Sequence, residues 1–168
     1  MNLPTDHELH AQAAAFGNRL LEARMKLASA ESCTGGWLAK VVTEVPGSSN
    51  WFDCSFVAYS YDAKESMLGV QRVTLEKSGA VSGETVIEMV RGALSRSRAD
   101  IAVAITGIAG PGGGTRDKPV GTVWMAWAKG HHPPTAEMHH FPGDRDAVRR
   151  ATVRVAIQGL EKLLSEFT

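Results

Sequence analysis

Excess charge of either sign is missing from this 168-residue chain, in which Lys plus Arg total 18 and Asp plus Glu also total 18. A protein that grips nucleic acid along its phosphate backbone carries a basic surplus, so the balance argues against broad DNA or RNA binding. The one local basic patch is Arg145, Arg149, Arg150 and Arg154. Cysteine is scarce, with only Cys33 and Cys54, and the polar start over residues 1–6 carries no secretory apolar core. That excludes a disulfide-stapled scaffold and points to a reduced, cytoplasmic protein with two free thiols. No apolar run approaches the roughly 18 residues of a membrane span. The six histidines include the adjacent pairs His131-His132 and His139-His140, but no H-E-x-x-H or Cys-x-x-Cys spacing, so no metal site is expected. The length suits a single domain over residues 1–168 that buries its own core without staples.

Thr5 and Glu8 stand in capping-box spacing ahead of Leu9, Ala13, Phe16 and Leu20, which predicts a first helix. Strands are expected at 26–30, 52–61, 101–106, 120–128 and 137–141, the last two as an antiparallel pair. Helices are expected at 34–45, stopped by Pro46 and Gly47, at 82–98, and from a cap at Asp144 onward, with a helical turn at 63–68. The order α-β-α-β-α-α-β-β-β-α implies an α/β sandwich on a mostly parallel sheet of about five strands.

Four places suit chemistry. Glu31-Ser32-Cys33-Thr34-Gly35-Gly36 lies between a strand and a helix, where open α/β sheets place ligands. Free N–H groups and the helix dipole favour an anion or oxyanion there; plain N-capping by Ser32 or Thr34 is the simpler alternative. Cys33 has a nucleophile's position, though a small semi-buried thiol is the favoured reading. The segment 107–119 holds five glycines and two prolines and follows the most apolar strand. It lacks the Gly-Lys-Ser/Thr of a P-loop, so alone it separates poorly from a surface loop. Lys64, just beyond a strand, would act as a base if burial lowers its pKa, and is otherwise a solvated helix lysine. Arg145 opens the final helix, where its planar fork suits a phosphate, a carboxylate or a neighbouring Asp.

The motifs AESCTGG (30–36), PGSSNWF (46–52), VAYSYDAK (57–64), GAVS (79–82), ITGIAGPGGG (105–114), KPVGTVW (118–124) and GDRDAVR (143–149) occur in order over nearly the whole chain. Together they resemble the CinA C-terminal domain family (competence/damage-inducible protein), and its stand-alone amidohydrolase members in particular. The resemblance implies a three-layer α/β/α sandwich with a mixed, mostly parallel sheet. It implies hydrolysis of the carboxamide of nicotinamide mononucleotide to nicotinic acid mononucleotide and ammonia, without metal or organic cofactor, in pyridine-nucleotide recycling. Homo-oligomers are also implied. A serine nucleophile with Lys64 as base suits such an amidase. Ser32 has the better electrostatic setting, while Ser48 and Ser49 of the GSS motif remain alternatives. Tyr59 and Thr106 are expected to position the amide or ribose or to relay a proton. Thr34, Gly35, Gly36, Gly107, Gly110 and Arg145 are expected to hold phosphate and ribose. The rival reading is a non-catalytic nucleotide-binding module linked to competence or DNA damage.

Overall fold

The computed structural model describes residues 3–166, so residues 1–2 and 167–168 of the expected domain lie outside the described residues. The chain runs α1 (Asp6–Ala23), β1 (Leu27–Glu31), α2 (Trp37–Thr43), a 3-10 turn (Ser48–Asn50), β2 (Phe52–Val57), α3 (Tyr61–Leu68) and α4 (Arg72–Ser78). It continues through α5 (Gly83–Ser95), β3 (Ile101–Gly107), β4 (Thr122–Lys129), β5 (Thr135–His140) and α6 (Arg145–Ser165). The Thr5–Glu8 capping box forms as expected, and the Asp144 side chain accepts from the N–H of Ala147 to start α6. The short helix α4 has no counterpart in the expected order. It buries only Leu75, and Val73 and Thr74 are β-branched, so no apolar stripe announced it. The expected helix at 34–45 begins only at Trp37, because Gly35 and Gly36 take positive φ of 60° and 92° in a turn. The expected strand at 52–61 ends at Val57, where the chain leaves the sheet to enter α3.

The sheet order is β2-β1-β3-β4-β5. Strand β1 runs parallel to β2 and β3, whereas β4 is antiparallel to both β3 and β5. The sheet is therefore mixed, with β4 alone reversed against the other four strands.

Side-chain size alternates along the central strands with period two. Leu27, Ile101, Val103, Ile105, Met125 and Trp127 face a layer made of α1, α2 and α6. Ala28, Ala30, Ala102, Ala104, Ala126 and Ala128 face α5, with α3 and α4 beside it. The alanine face lets α5 lie close to the sheet, while the bulky face fills the wider gap opposite. From β1 the chain crosses to β2 through α2 in one layer. It then passes to the far side of β1 through α3, α4 and α5 in the other layer. That reversal opens a crevice beyond the carboxyl ends of β1 and β3. Among the described residues no helix is long and apolar enough to cross a membrane.

In α6, a Cβ added at Gly159 would stand 2.1 Å from the Trp127 indole, whose N–H donates to the Ala156 carbonyl at 2.9 Å. Helix propensity favours Ala over Gly by about 1 kcal/mol, but forcing apart a packed core costs about 1–3 kcal/mol. Gly159→Ala is accordingly expected to lower the denaturation midpoint; a raised midpoint in urea unfolding would contradict this packing.

Candidate active site

The parallel register sets Glu31 level with both Val57 and Ile105. The residues that follow each strand therefore meet at one edge. The N–H of Ser32 donates to the Ile105 carbonyl at 3.0 Å, and that of Ala58 donates to the Glu31 carbonyl at 2.9 Å. Beyond Ala58 the Ser60 hydroxyl accepts from the N–H of Ala63 at 3.0 Å and starts α3. One turn on, Lys64 points inward and is only 1% exposed.

The Lys64 Nζ stands 2.9 Å from Ser32 Oγ and donates to the Ala58 carbonyl at 2.9 Å. Burial lowers the Lys64 pKa, because the ammonium loses hydration that the free amine needs less. The one neighbour acting the other way is Cys33, and only as a thiolate. Burial pushes the Cys33 thiol up to about 12, so that thiolate is absent near neutral pH. No carboxylate pairs with this amine among the described residues. As a free amine, Nζ can accept the Ser32 hydroxyl proton.

Ser32 and Lys64 open onto a cavity of about 270 Å³ that Tyr59, Thr106, Gly107 and Gly110 also line. Arg145 closes one side. Its Nη1 donates to the Gly110 carbonyl at 2.6 Å and its Nη2 to the Tyr59 hydroxyl at 2.9 Å. One guanidinium thus ties the glycine-rich loop, the turn after β2 and the start of α6. The Thr106 hydroxyl is already committed to the Ala80 carbonyl at 2.7 Å.

The structure does not bring Ser48 and Ser49 to this cavity. They precede β2, where the Leu27 N–H donates to the Trp51 carbonyl, at the opposite edge of the sheet. The length of β2 separates them from Ser32, roughly 20 Å at ~3.3 Å per residue. Nor do Thr34, Gly35 and Gly36 line it. The N–H groups of Gly36, Leu38 and Ala39 donate to the Glu31 carboxylate at 3.1, 3.1 and 2.9 Å. The start of α2 is already occupied by an anion from its own chain, and the expected phosphate seat there is filled.

Two residues that sequence reasoning left without a role hold this turn. Glu31 is fully buried and pins it through its N–H groups. From the other side Arg149 Nη2 donates to the Thr34 carbonyl at 2.7 Å, and its guanidinium lies 5.2 Å from the Trp37 ring centre. Arg150 also lies over Trp37 while pairing with Asp6 and Asp146. The local basic patch is thus largely spent on internal contacts. An acid directly before a strand-to-helix turn was the available signal for Glu31; nothing in the sequence aimed Arg149 at Thr34.

Fold and site together define a three-layer α/β protein with a buried serine–lysine pair at the switch point of its sheet. A family model described as CinA C-terminal domain matches residues 9–164. The chain belongs to that family. It is 50% identical over 156 residues to the nicotinamide-nucleotide amidohydrolase PncC of Escherichia coli K12, a match covering 93% of this chain and 94% of that relative. The Pseudomonas putida protein of the same name is 49% identical over 154 residues, covering 92% and 96%. Among solved structures, the competence/damage inducible protein CihA from Agrobacterium tumefaciens aligns with a TM-score of 0.91 at 43% identity, covering 97% of this chain and 98% of that one.

A thiol this buried and this weakly acidic resists alkylation. Iodoacetamide at pH 8 is expected to leave Cys33 unmodified in the folded protein and to label it after denaturation, read by peptide mass spectrometry. Labelling of Cys33 at the same rate in both states would overturn its placement.

Proposed function

We propose that this chain hydrolyses the carboxamide of nicotinamide mononucleotide to nicotinic acid mononucleotide and ammonia, with Ser32 as nucleophile and Lys64 as general base. The observation that carries the mechanism is the 2.9 Å contact between Ser32 Oγ and a buried lysine amine that has no carboxylate partner among the described residues. The substrate rests on the amidohydrolase names of relatives at about half identity over nearly the full chain.

Lys64 takes the Ser32 proton as Oγ attacks the carboxamide carbon. The resulting oxyanion is met by backbone N–H groups at the cavity wall beside Ser32, where Cys33 lines it. The Lys64 ammonium then protonates the departing nitrogen, and ammonia leaves an ester on Ser32. Water enters from the open side of the cavity, gives its proton to Lys64 and attacks that ester. Nicotinic acid mononucleotide departs and Ser32 regains its proton. Arg145, exposed at the mouth, meets the phosphate, while Gly107 and Gly110 let the nucleotide approach the loop backbone. Tyr59 orients the Arg145 guanidinium. Thr106, its hydroxyl engaged by Ala80, shapes the cavity wall.

Ammonia release from the purified protein and this nucleotide tests the reading; no release between about pH 6 and pH 9 would overturn it. Ser32→Ala and Lys64→Ala are each expected to lower kcat by about 10³-fold or more. Because activity needs the free amine and burial lowers its pKa, kcat/KM is expected to rise with pH along a limb below the ~10.4 of an ordinary lysine. A limb at the ordinary value would remove Lys64 from the role of base.

A further inference from the structure

We infer that Glu31 is a positioning residue for this reaction: its buried carboxylate occupies the donors of α2 and so leaves Ser32 free to face Lys64. The inference rests on the amidase reading above and adds a residue to it.

Four donors reach this side chain. Glu31 Oε2 accepts from the N–H groups of Gly36 and Leu38, and Oε1 from the N–H of Ala39 and, at 3.4 Å, the Ser55 hydroxyl. No salt bridge to it occurs among the described residues. A carboxylate with no accessible surface and no cation is costly to bury, so its donors must compensate it. Four other helices are capped in the ordinary way, by Thr5, Ser60, Ser82 and Asp144, and α4 has no side-chain cap. Helix α2 differs. Its N-cap is Gly36, without a side-chain cap, and its donors are served by a residue that precedes the turn.

Ser32 and Thr34 carry the hydroxyls that stand next before this helix in the chain. With Glu31 serving its donors instead, the Ser32 hydroxyl is left to Lys64. Arg149 holds the opposite side of the same turn through the Thr34 carbonyl. Without the carboxylate, the unserved donors of Gly36, Leu38 and Ala39 compete for the Ser32 hydroxyl and draw it from Nζ.

The test compares the wild type with Glu31→Gln, Glu31→Asp and Ser55→Ala, following ammonia release from nicotinamide mononucleotide and thermal unfolding. Gln keeps the shape but turns an N–H₂ group toward backbone donors. Glu31→Gln is expected to fold and lose kcat on the order of 100-fold, as misplacement of a reacting group does, with KM changed by no more than about threefold. Glu31→Asp keeps the charge but not the reach and is expected to fall between. Ser55→Ala removes a donor without touching the turn and is expected to stay within about threefold of wild type in both constants.

A folded Glu31→Gln with wild-type kcat overturns the inference, as does an equal loss in Ser55→Ala. Should Glu31→Gln fail to fold, Glu31→Asp decides: reduced kcat at unchanged KM supports the inference, and wild-type kcat overturns it. If neither folds, Glu31 is a stability residue and the inference fails. A wild type that releases no ammonia fails the amidase reading instead. Positioning is then read from the rate at which a fluorophosphonate labels Ser32, expected to be slower in Glu31→Gln; an equal rate overturns it.

Discussion

The carboxyl ends of β1, β2 and β3 are level because Glu31 pairs at once with Val57 and Ile105. Everything chemical in the molecule depends on that register. It delivers Ser32, the turn toward α3 and the Thr106-Gly107 pair to one edge, from stretches of chain far apart in sequence. A one-residue slip of β1 would exchange its leucine and alanine faces and bury the wrong set against α5. The alternation of large and small residues therefore secures the fold and the site together.

Within that frame the dominant electrostatic feature is an amine buried with no acid beside it among the described residues. A lysine in a core ordinarily finds a carboxylate or keeps its head in water. Lys64 has instead a carbonyl from Ala58 and a hydroxyl from Ser32. Neutral acceptors satisfy its protons without stabilising its charge, so desolvation prevails and the amine is poised to take a proton. Cys33 reinforces this by staying protonated. Asp62 and Glu65, which flank Lys64 in the chain, pair with Arg72 instead, and the Glu31 carboxylate is spent on the N–H groups at the start of α2.

Much of the fold was legible beforehand because its signals are local. The capping box at Thr5, the apolar run of β3, the glycine-rich loop and the Asp144 cap each express backbone preferences of a few neighbouring residues. The short helix α4 was not legible, since seven residues with one buried side chain carry no period. At the site, chemistry-bearing residue types stood out, but their grouping did not. Ser32 had the better electrostatic setting, but Ser48 and Ser49 remained alternatives until the sheet put the latter two at its amino edge.

The sequence by itself determined the class of fold, the strand-to-helix turn after β1 and the residues capable of acid–base work, because these follow from periodicity, capping and side-chain chemistry. It also carried the family's motifs in order along the chain. Only the tertiary structure decided which serine meets Lys64, that Glu31 already fills the anion seat at α2, and that Arg145 ties Tyr59 to Gly110. These depend on contacts between segments up to 86 residues apart, and on burial that no local pattern encodes. A lysine becomes a base, and a helix start ceases to be a phosphate site, only when the rest of the chain has excluded water and supplied the partner.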